Sequence, residues 1–309
     1  MGLDANAKGL FPIAVTPFTP EGAICWDSVD SMTDFYVNAG ATGLTILGIM
    51  GEAPKLDLDE SLEITRRVCA RAKGLPVVVG VSSPGFAAMR SLARGAMERG
   101  AAGVMIAPQP SLRTDDQIGG YFGQAVEAIG ADIPWVLQDY PLTLSVVMTP
   151  GVIRRIIEHS PSCVMLKHED WPGLEKITAL RKWSDEGATR RVSILTGNGG
   201  IFLDFEMERG ADGAMTGYAF PDMLADVVRL SQAGDRDAAH DLFDAHLPLM
   251  RYEQQQGVGL AVRKYVLAKR GAIKSEAQRK PGSALTAKAR AEVDYLLARL
   301  AKKDARAAL

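Results

Sequence analysis

The segment Cys163-Val-Met-Leu-Lys-His-Glu-Asp170 is a short apolar run that ends in a lysine, a histidine and two acids. In an extended strand, alternation puts Val164, Leu166 and His168 on one face and Cys163, Met165, Lys167 and Glu169 on the other. If the second face is the enclosed one, an ammonium and a carboxylate project together from the strand tip. An ordinary lysine, with a pKa of about 10.4, is almost wholly protonated at neutral pH, and each unit of depression costs about 1.36 kcal/mol. Imine chemistry gives a reason for that cost, because only the neutral amine attacks a carbonyl and apolar surroundings disfavour the charged form. The alternative is a lysine whose stem snorkels past the strand end to pair with Glu169 or Asp170.

Three other stretches place polar groups at the ends of apolar runs. Gln138-Asp-Tyr-Pro141 puts Gln138 and Tyr140 on one side. An amide there can orient a hydroxyl or a water, but it relays no proton at neutral pH. Gly48-Ile-Met-Gly-Glu52 suits a tight turn whose free N–H groups, around Gly48, Ile49, Met50 and Gly51, would face one anion such as a carboxylate. Glycines in such a place also commonly serve the turn alone. Gly197-Asn-Gly-Gly200 has the composition of a phosphate cradle. It has no lysine or arginine beside it, so a plain loop is the simpler reading, with Gly197 and Asn198 as candidate substrate contacts.

Metal and thiol chemistry find little support. His159, His168, His240 and His246 show no ligand spacing with a carboxylate, so neither a metal nor another cofactor is expected. Cys25, Cys69 and Cys163 lack the pairing of a disulfide framework and are read as reduced core residues.

These groups need a scaffold that brings strand ends together. Eight β-rich runs, FPIAVT, TGLTIL, PVVVGV, GVMIAP, PWVLQDY, CVMLK, VSILTG and GAMTGY, alternate with helical patterns at roughly thirty-residue spacing, the length of a strand with its crossover helix. Nearly continuous apolar strands imply a sheet covered on both faces. Between them, Leu58, Leu62, Ile64, Val68 and Cys69 mark an amphipathic helix that Asp57 can cap. The expectation is an α/β fold, a (β/α)8 TIM barrel with a C-terminal helical extension. Residues 1–222 would form the barrel core through the eighth strand, and residues 223–309 the last barrel helix and the extension. Chemistry then belongs at the carboxyl ends of the strands. An open doubly wound sheet is the competitor, and the absence of G-x-G-x-x-G after the first run weakens it.

Composition narrows the partners. The chain has 309 residues, 47% hydrophobic and 23% charged, with a net charge of -2. No field favours nucleic acid or an anionic membrane. No apolar run reaches the length of a membrane span, and MGLDANAKGL lacks the pattern of a secretory signal, so a cytoplasmic location is expected.

Thr16-Pro-Phe18 with Gly22 and Asp27, then Gly48-x-x-Gly-Glu52, Pro141 after the fifth run and Lys167 closing the sixth together resemble the dihydrodipicolinate synthase / N-acetylneuraminate lyase superfamily of class I aldolase-like barrels. The resemblance covers nearly the whole chain from about Gly9. It implies an imine between Lys167 and a small-molecule 2-keto acid, a carboxylate site around Ile49, Met50 and Gly51, and a homo-oligomer, dimer or tetramer. Five residues depart from the pattern. Gln138 stands where a tyrosine is usual, Ile49 and Met50 where a hydroxyl residue is usual, Pro110 near a second tyrosine position, and Thr143 near the arginine of the synthases. The hydroxyl relay is therefore missing, and Glu169 becomes the nearest acid–base candidate. Gln138 with Lys167 and Glu169 resembles the L-2-keto-3-deoxyarabonate dehydratase branch, which implies dehydration of a 2-keto-3-deoxy sugar acid, with Tyr140 lining the pocket. A pyruvate-dependent aldolase or lyase, and an inactive keto-acid-binding barrel, are the alternatives.

Overall fold

The computed structural model describes residues 2–309. Its strands are β1 (Gly9–Leu10), β2 (Leu44–Ile46), β3 (Val77–Gly80), β4 (Gly103–Ile106), β5 (Trp135–Asp139), β6 (Cys163–His168), β7 (Ser193–Thr196) and β8 (Gly213–Ala214). The helices between strands are α1 (Trp26–Asn38), α2 (Leu58–Arg71), α3 (Phe86–Glu98), α4 (Asp115–Ile129), α5 (Pro141–Leu144), α6 (Pro150–His159), α7 (Leu174–Asp185) and α8 (Leu203–Glu208). After β8 come α9 (Pro221–Gln232), α10 (Arg236–Glu253), α11 (Gly259–Lys269) and α12 (Ala287–Leu300). The strands pair in parallel in the order β1-β8-β7-β6-β5-β4-β3-β2.

The two ends of that order meet at a parallel bridge between Ile13 and Thr45, flanked by Ala14 N donating to Thr45 O at 2.8 Å and Thr45 N to Pro12 O at 3.0 Å. The fold is thus a (β/α)8 barrel with C-terminal helices. The first strand lies just before the run FPIAVT; Phe11 and Ile13 still donate to Ala214 O and Thr216 O at 2.8 and 2.9 Å, but Pro12 has no N–H to give the ladder on the β2 side. The α2 start carries a capping box, with Glu60 N donating to Asp57 Oδ1 and Asp57 N to Glu60 Oε2. Leu58, expected on its apolar face, is exposed instead. Ile64 and Val68 do face the core, while Leu62 packs where a Cβ on Gly95 of α3 would fall, 2.6 Å away.

Two apolar layers support the strand ends. Phe11, Ile13, Val78, Met105, Val136, Met165, Leu195 and Met215 fill the barrel interior. A larger cluster lies between sheet and helices and runs on into Val293, Leu297 and Leu300 of α12. The β5–β6 register slips between Trp135 and Val136. This bulge breaks the simple alternation of β6: Cys163 packs in the outer cluster and Val164 against the inner one, the reverse of the sequence expectation. Beyond the bulge alternation holds, with Met165 inside and Leu166 outside. Of the cysteines only Cys163 is fully buried, and Cys25 and Cys69 are half-buried. Among the described residues no helix is long and apolar enough to cross a membrane.

Candidate active site

Gln138 and Lys167 are register partners at the ends of β5 and β6. Lys167 Nζ lies 2.8 Å from Glu169 Oε1, and Gln138 Nε2 donates to the same oxygen at 2.7 Å. The other oxygen, Oε2, accepts from the backbone N–H of Asn198 at 3.1 Å. Lys167, Gln138 and Glu169 are all buried, at 5%, 3% and 5% exposure. One carboxylate is therefore fixed by an amine, an amide and a main-chain donor above an apolar floor, where charge-assisted hydrogen bonds are strong.

Gly197 explains how Glu169 fits. A Cβ at position 197 would fall 2.4 Å from Glu169 Cγ and 2.6 Å from its carboxyl carbon. The Gly197→Ala variant is expected to displace Glu169 and lower kcat by about tenfold or more while the fold is retained, which steady-state kinetics alongside thermal melting would check. Asn198 enters through its backbone, at a left-handed φ of 48°.

The Gly48–Glu52 segment forms a single turn of 3-10 helix over Ile49–Gly51. Its internal hydrogen bonds use the N–H groups of Gly51 and Glu52, and leave those of Ile49 and Met50 for an anion. The left-handed residues here are Leu47 and Glu52, at φ 56° and 54°, so the glycines are not required by a positive φ. Thr16 Oγ1 pins the turn by donating to Gly51 O at 2.6 Å.

Glu52 anchors the turn to the helical extension. It is buried and pairs with Lys264 of α11 and, at 2.7 Å, with Lys55, while Arg279 N donates to it at 3.2 Å. Lys264 Nζ also donates to Thr16 O and Ala277 O, each at 2.8 Å. Burial pulls the Lys264 ammonium below its usual pKa and the Glu52 carboxylate opposes that shift. Removing the amine leaves a buried carboxylate short of a partner. The Lys264→Met variant is expected to lose about 3 kcal/mol of stability, read as a lower denaturant midpoint.

Two cavities open at this end of the barrel. One, of about 470 Å³, is mainly apolar and lined by Leu47, Ile49, Pro84, Met105, Pro108 and Gln138 among others. The other, of about 460 Å³, is bounded by Met50, Tyr140, Thr143, Gln254 and Arg263. Ile49 and Met50 thus diverge, one to each cavity. Burial, and then the Glu169 charge, push the Tyr140 phenol above its ordinary pKa, so it remains protonated and a weaker acid.

His168 lies on the outer face, fully buried, with its Nδ1 3.7 Å from Asp139 Oδ2. The described residues contain no cluster of three or more potential metal ligands. Behind β7, Glu206 of α8 is buried, and desolvation raises its carboxyl from 4.5 to about 8. The folded state then holds a proton that the unfolded chain has released, so stability declines as pH rises from about 4.5 to 8 and levels off above. Glu206→Gln is expected to remove that decline, a difference on the order of a few kcal/mol at pH 8, measured by urea unfolding at pH 5 and pH 8.

The structure brings Lys167, Glu169, Gln138, Gly197 and Asn198 together, with Gly48, Ile49, Met50 and Tyr140 bordering the cavities and Gly51 lying behind them, held by Thr16. Lys264, Glu253, Arg263 and Gln254 were missed from sequence. The signal available was the charged pair Arg263-Lys264 inside the apolar run VGLAVRKYVLA.

Comparison with known proteins agrees with this arrangement. The pattern of the Dihydrodipicolinate synthetase family matches residues 6–300. An L-2-keto-3-deoxyarabonate dehydratase of Azospirillum brasilense is 31% identical over 300 residues, covering 95% of this chain and 94% of its own. A 4-hydroxy-tetrahydrodipicolinate synthase of Sorangium cellulosum is 31% identical over 248 residues, 79% of each chain. A crystal structure described as dihydrodipicolinate synthase from Rhodopseudomonas palustris superposes with a TM-score of 0.96 at 68% identity, covering 97% of this chain and 99% of that one. With a lysine closing the sixth strand, a G-x-x-G-E turn after the second and a match over nearly its whole length, the chain belongs to the dihydrodipicolinate synthetase family.

Proposed function

We propose that this protein is a Schiff-base hydro-lyase that dehydrates a 2-keto-3-deoxy sugar acid, converting L-2-keto-3-deoxyarabonate to 2-oxoglutarate semialdehyde and water. The observation that carries this reading is the single oxygen of Glu169 shared between Lys167 Nζ and Gln138 Nε2. It gives one carboxylate access to the amine, and the sequence resemblance adds that the amide stands where the synthases have a phenol.

Glu169 is in contact with the ammonium and can take its proton, which frees the amine to attack the keto carbon. The substrate carboxylate sits on the free N–H groups of Ile49 and Met50. Glu169 returns that proton to the carbinolamine hydroxyl, which leaves as water to give the imine and a carboxylate once more, and the imine draws electrons from the adjacent methylene. Glu169 removes a proton there and returns it to the hydroxyl of the next carbon as that group leaves as water. Gln138 holds the leaving hydroxyl in line, a positioning role that needs no titratable proton. Loss of a proton from the terminal carbinol carbon gives an enol that relaxes to the aldehyde, and hydrolysis of the imine frees Lys167.

Carbon–carbon bond formation or cleavage on the same imine is the second reading, favoured by the description of the R. palustris relative. Gln138 counts against it because an amide relays no proton at neutral pH, and Thr143 because it brings no charge to a second carboxylate. Incubation with a panel of 2-keto-3-deoxy acids, followed by product mass, separates the two. Semialdehyde without pyruvate is the expected result, and pyruvate release would overturn the dehydratase.

A further inference from the structure

The polar cavity lies between the end of β5 and the turn that joins α10 to α11. Met50 of the carboxylate turn and Tyr140, two residues beyond Gln138, form its inner wall. A keto acid bonded to Lys167 with its carboxylate on that turn therefore has two cavities for the remainder of its chain. The mainly apolar one has Ser82, Ser83, Gln109, Ser111 and Gln138 on its wall but no charged group. The polar one presents Gln254, Gln255, Gln256 and Gln278 besides Arg263.

The charge of that cavity is set by a buried pair. Arg263 is 3% exposed and its Nε donates to Glu253 Oε1, while Glu253 is 2% exposed and accepts from Ala219 N with Oε2 at 3.3 Å. The guanidinium is held on its other side by Gly217, where a Cβ would fall 2.3 Å from Nη1. A second neighbour is fixed in the same manner: a Cβ on Gly199 would meet Gln254 Nε2. Glycines after β7 and β8 thus give room to two side chains of the helical extension. Arginine stays protonated in proteins, and the carboxylate bonded to it cancels its charge. The glutamines add donors and acceptors but no charge.

We propose that the Glu253–Arg263 pair is a specificity device that makes the cavity accept a hydroxyl-terminated keto acid and reject one that ends in a second carboxylate. A terminal hydroxyl finds amide and guanidinium partners. A second carboxylate would be desolvated with no net positive charge to compensate it. Discrimination comes from the unfavourable case as much as from the favourable one. The proposal rests on the Lys167 imine of the preceding section but not on the dehydration step.

Borohydride trapping on Lys167, read by peptide mass, tests it without turnover. The probes are pyruvate, 5-hydroxy-2-oxopentanoate and 2-oxoglutarate, the last two matched in chain length. The native protein is expected to half-saturate with the hydroxy acid at a concentration about tenfold or more below that for 2-oxoglutarate. Glu253→Gln, which leaves the guanidinium unbalanced, and Thr143→Lys, which adds a charge from an exposed position, should each shrink that ratio several-fold. Equal half-saturation in the native protein, or a ratio that neither variant moves, overturns the device. If pyruvate leaves no adduct on Lys167, the imine reading itself has failed and the proposal falls with it.

Discussion

Lys167→Arg is expected to abolish turnover, by about 10⁴-fold or more, and to eliminate any borohydride adduct with pyruvate. A guanidinium keeps the charge opposite Glu169 but never offers a neutral amine at working pH. The fold should survive, with a melting temperature close to the native one. The other two buried lysines are committed elsewhere. Lys176 is held outside the barrel by Asp139 at 2.7 Å and Asp170 at 2.6 Å, and Lys264 is held by Glu52. Retained turnover in the arginine variant would therefore remove the imine altogether, since no second buried amine faces the site among the described residues.

The second large effect is at Glu169. Glu169→Gln is expected to lower kcat by about 10²- to 10⁴-fold, the range for loss of a general acid–base group. The new amide's oxygen can still accept from Asn198 N, and its N–H can donate to Gln138 once that side chain flips to present its own oxygen, so the site stays assembled. Trapping with pyruvate should persist at raised pH, where solvent can take the lysine proton. That combination, adduct kept and dehydration lost, separates a proton carrier from a residue that only holds Lys167 in place. Loss of both together would instead make Glu169 a positioning residue for the amine. A variant that dehydrates at near-native rate would exclude it from proton transfer.

The barrel was legible because most strands lie in apolar runs buried on both sides and several helices have boundary signals of their own, such as Asp57 and Glu60 at the start of α2 and Thr114 and Gln117 at the start of α4. The contact between Lys167 and Glu169 was legible for a related reason: beyond Met165 a period of two carries both to the same side. What failed depended on neighbours. The slip between Trp135 and Val136 is a relation between two strands, so β6 alone gave no sign that Cys163 would turn outward. Gly197 and Gly199 looked like loop residues, and their need to lack a side chain shows only when Glu169 and Gln254 stand beside them. The same holds for Glu52 and Lys264, which meet across 212 positions of sequence.

That last contact joins two events usually considered apart. Because one ammonium ties the turn proposed to hold the substrate carboxylate to α11 and to Thr16 at once, a keto acid seated there and a docked carboxyl-terminal third would stabilise each other. Protease digestion should therefore slow in that third when pyruvate is present, although no atom of the ligand reaches it.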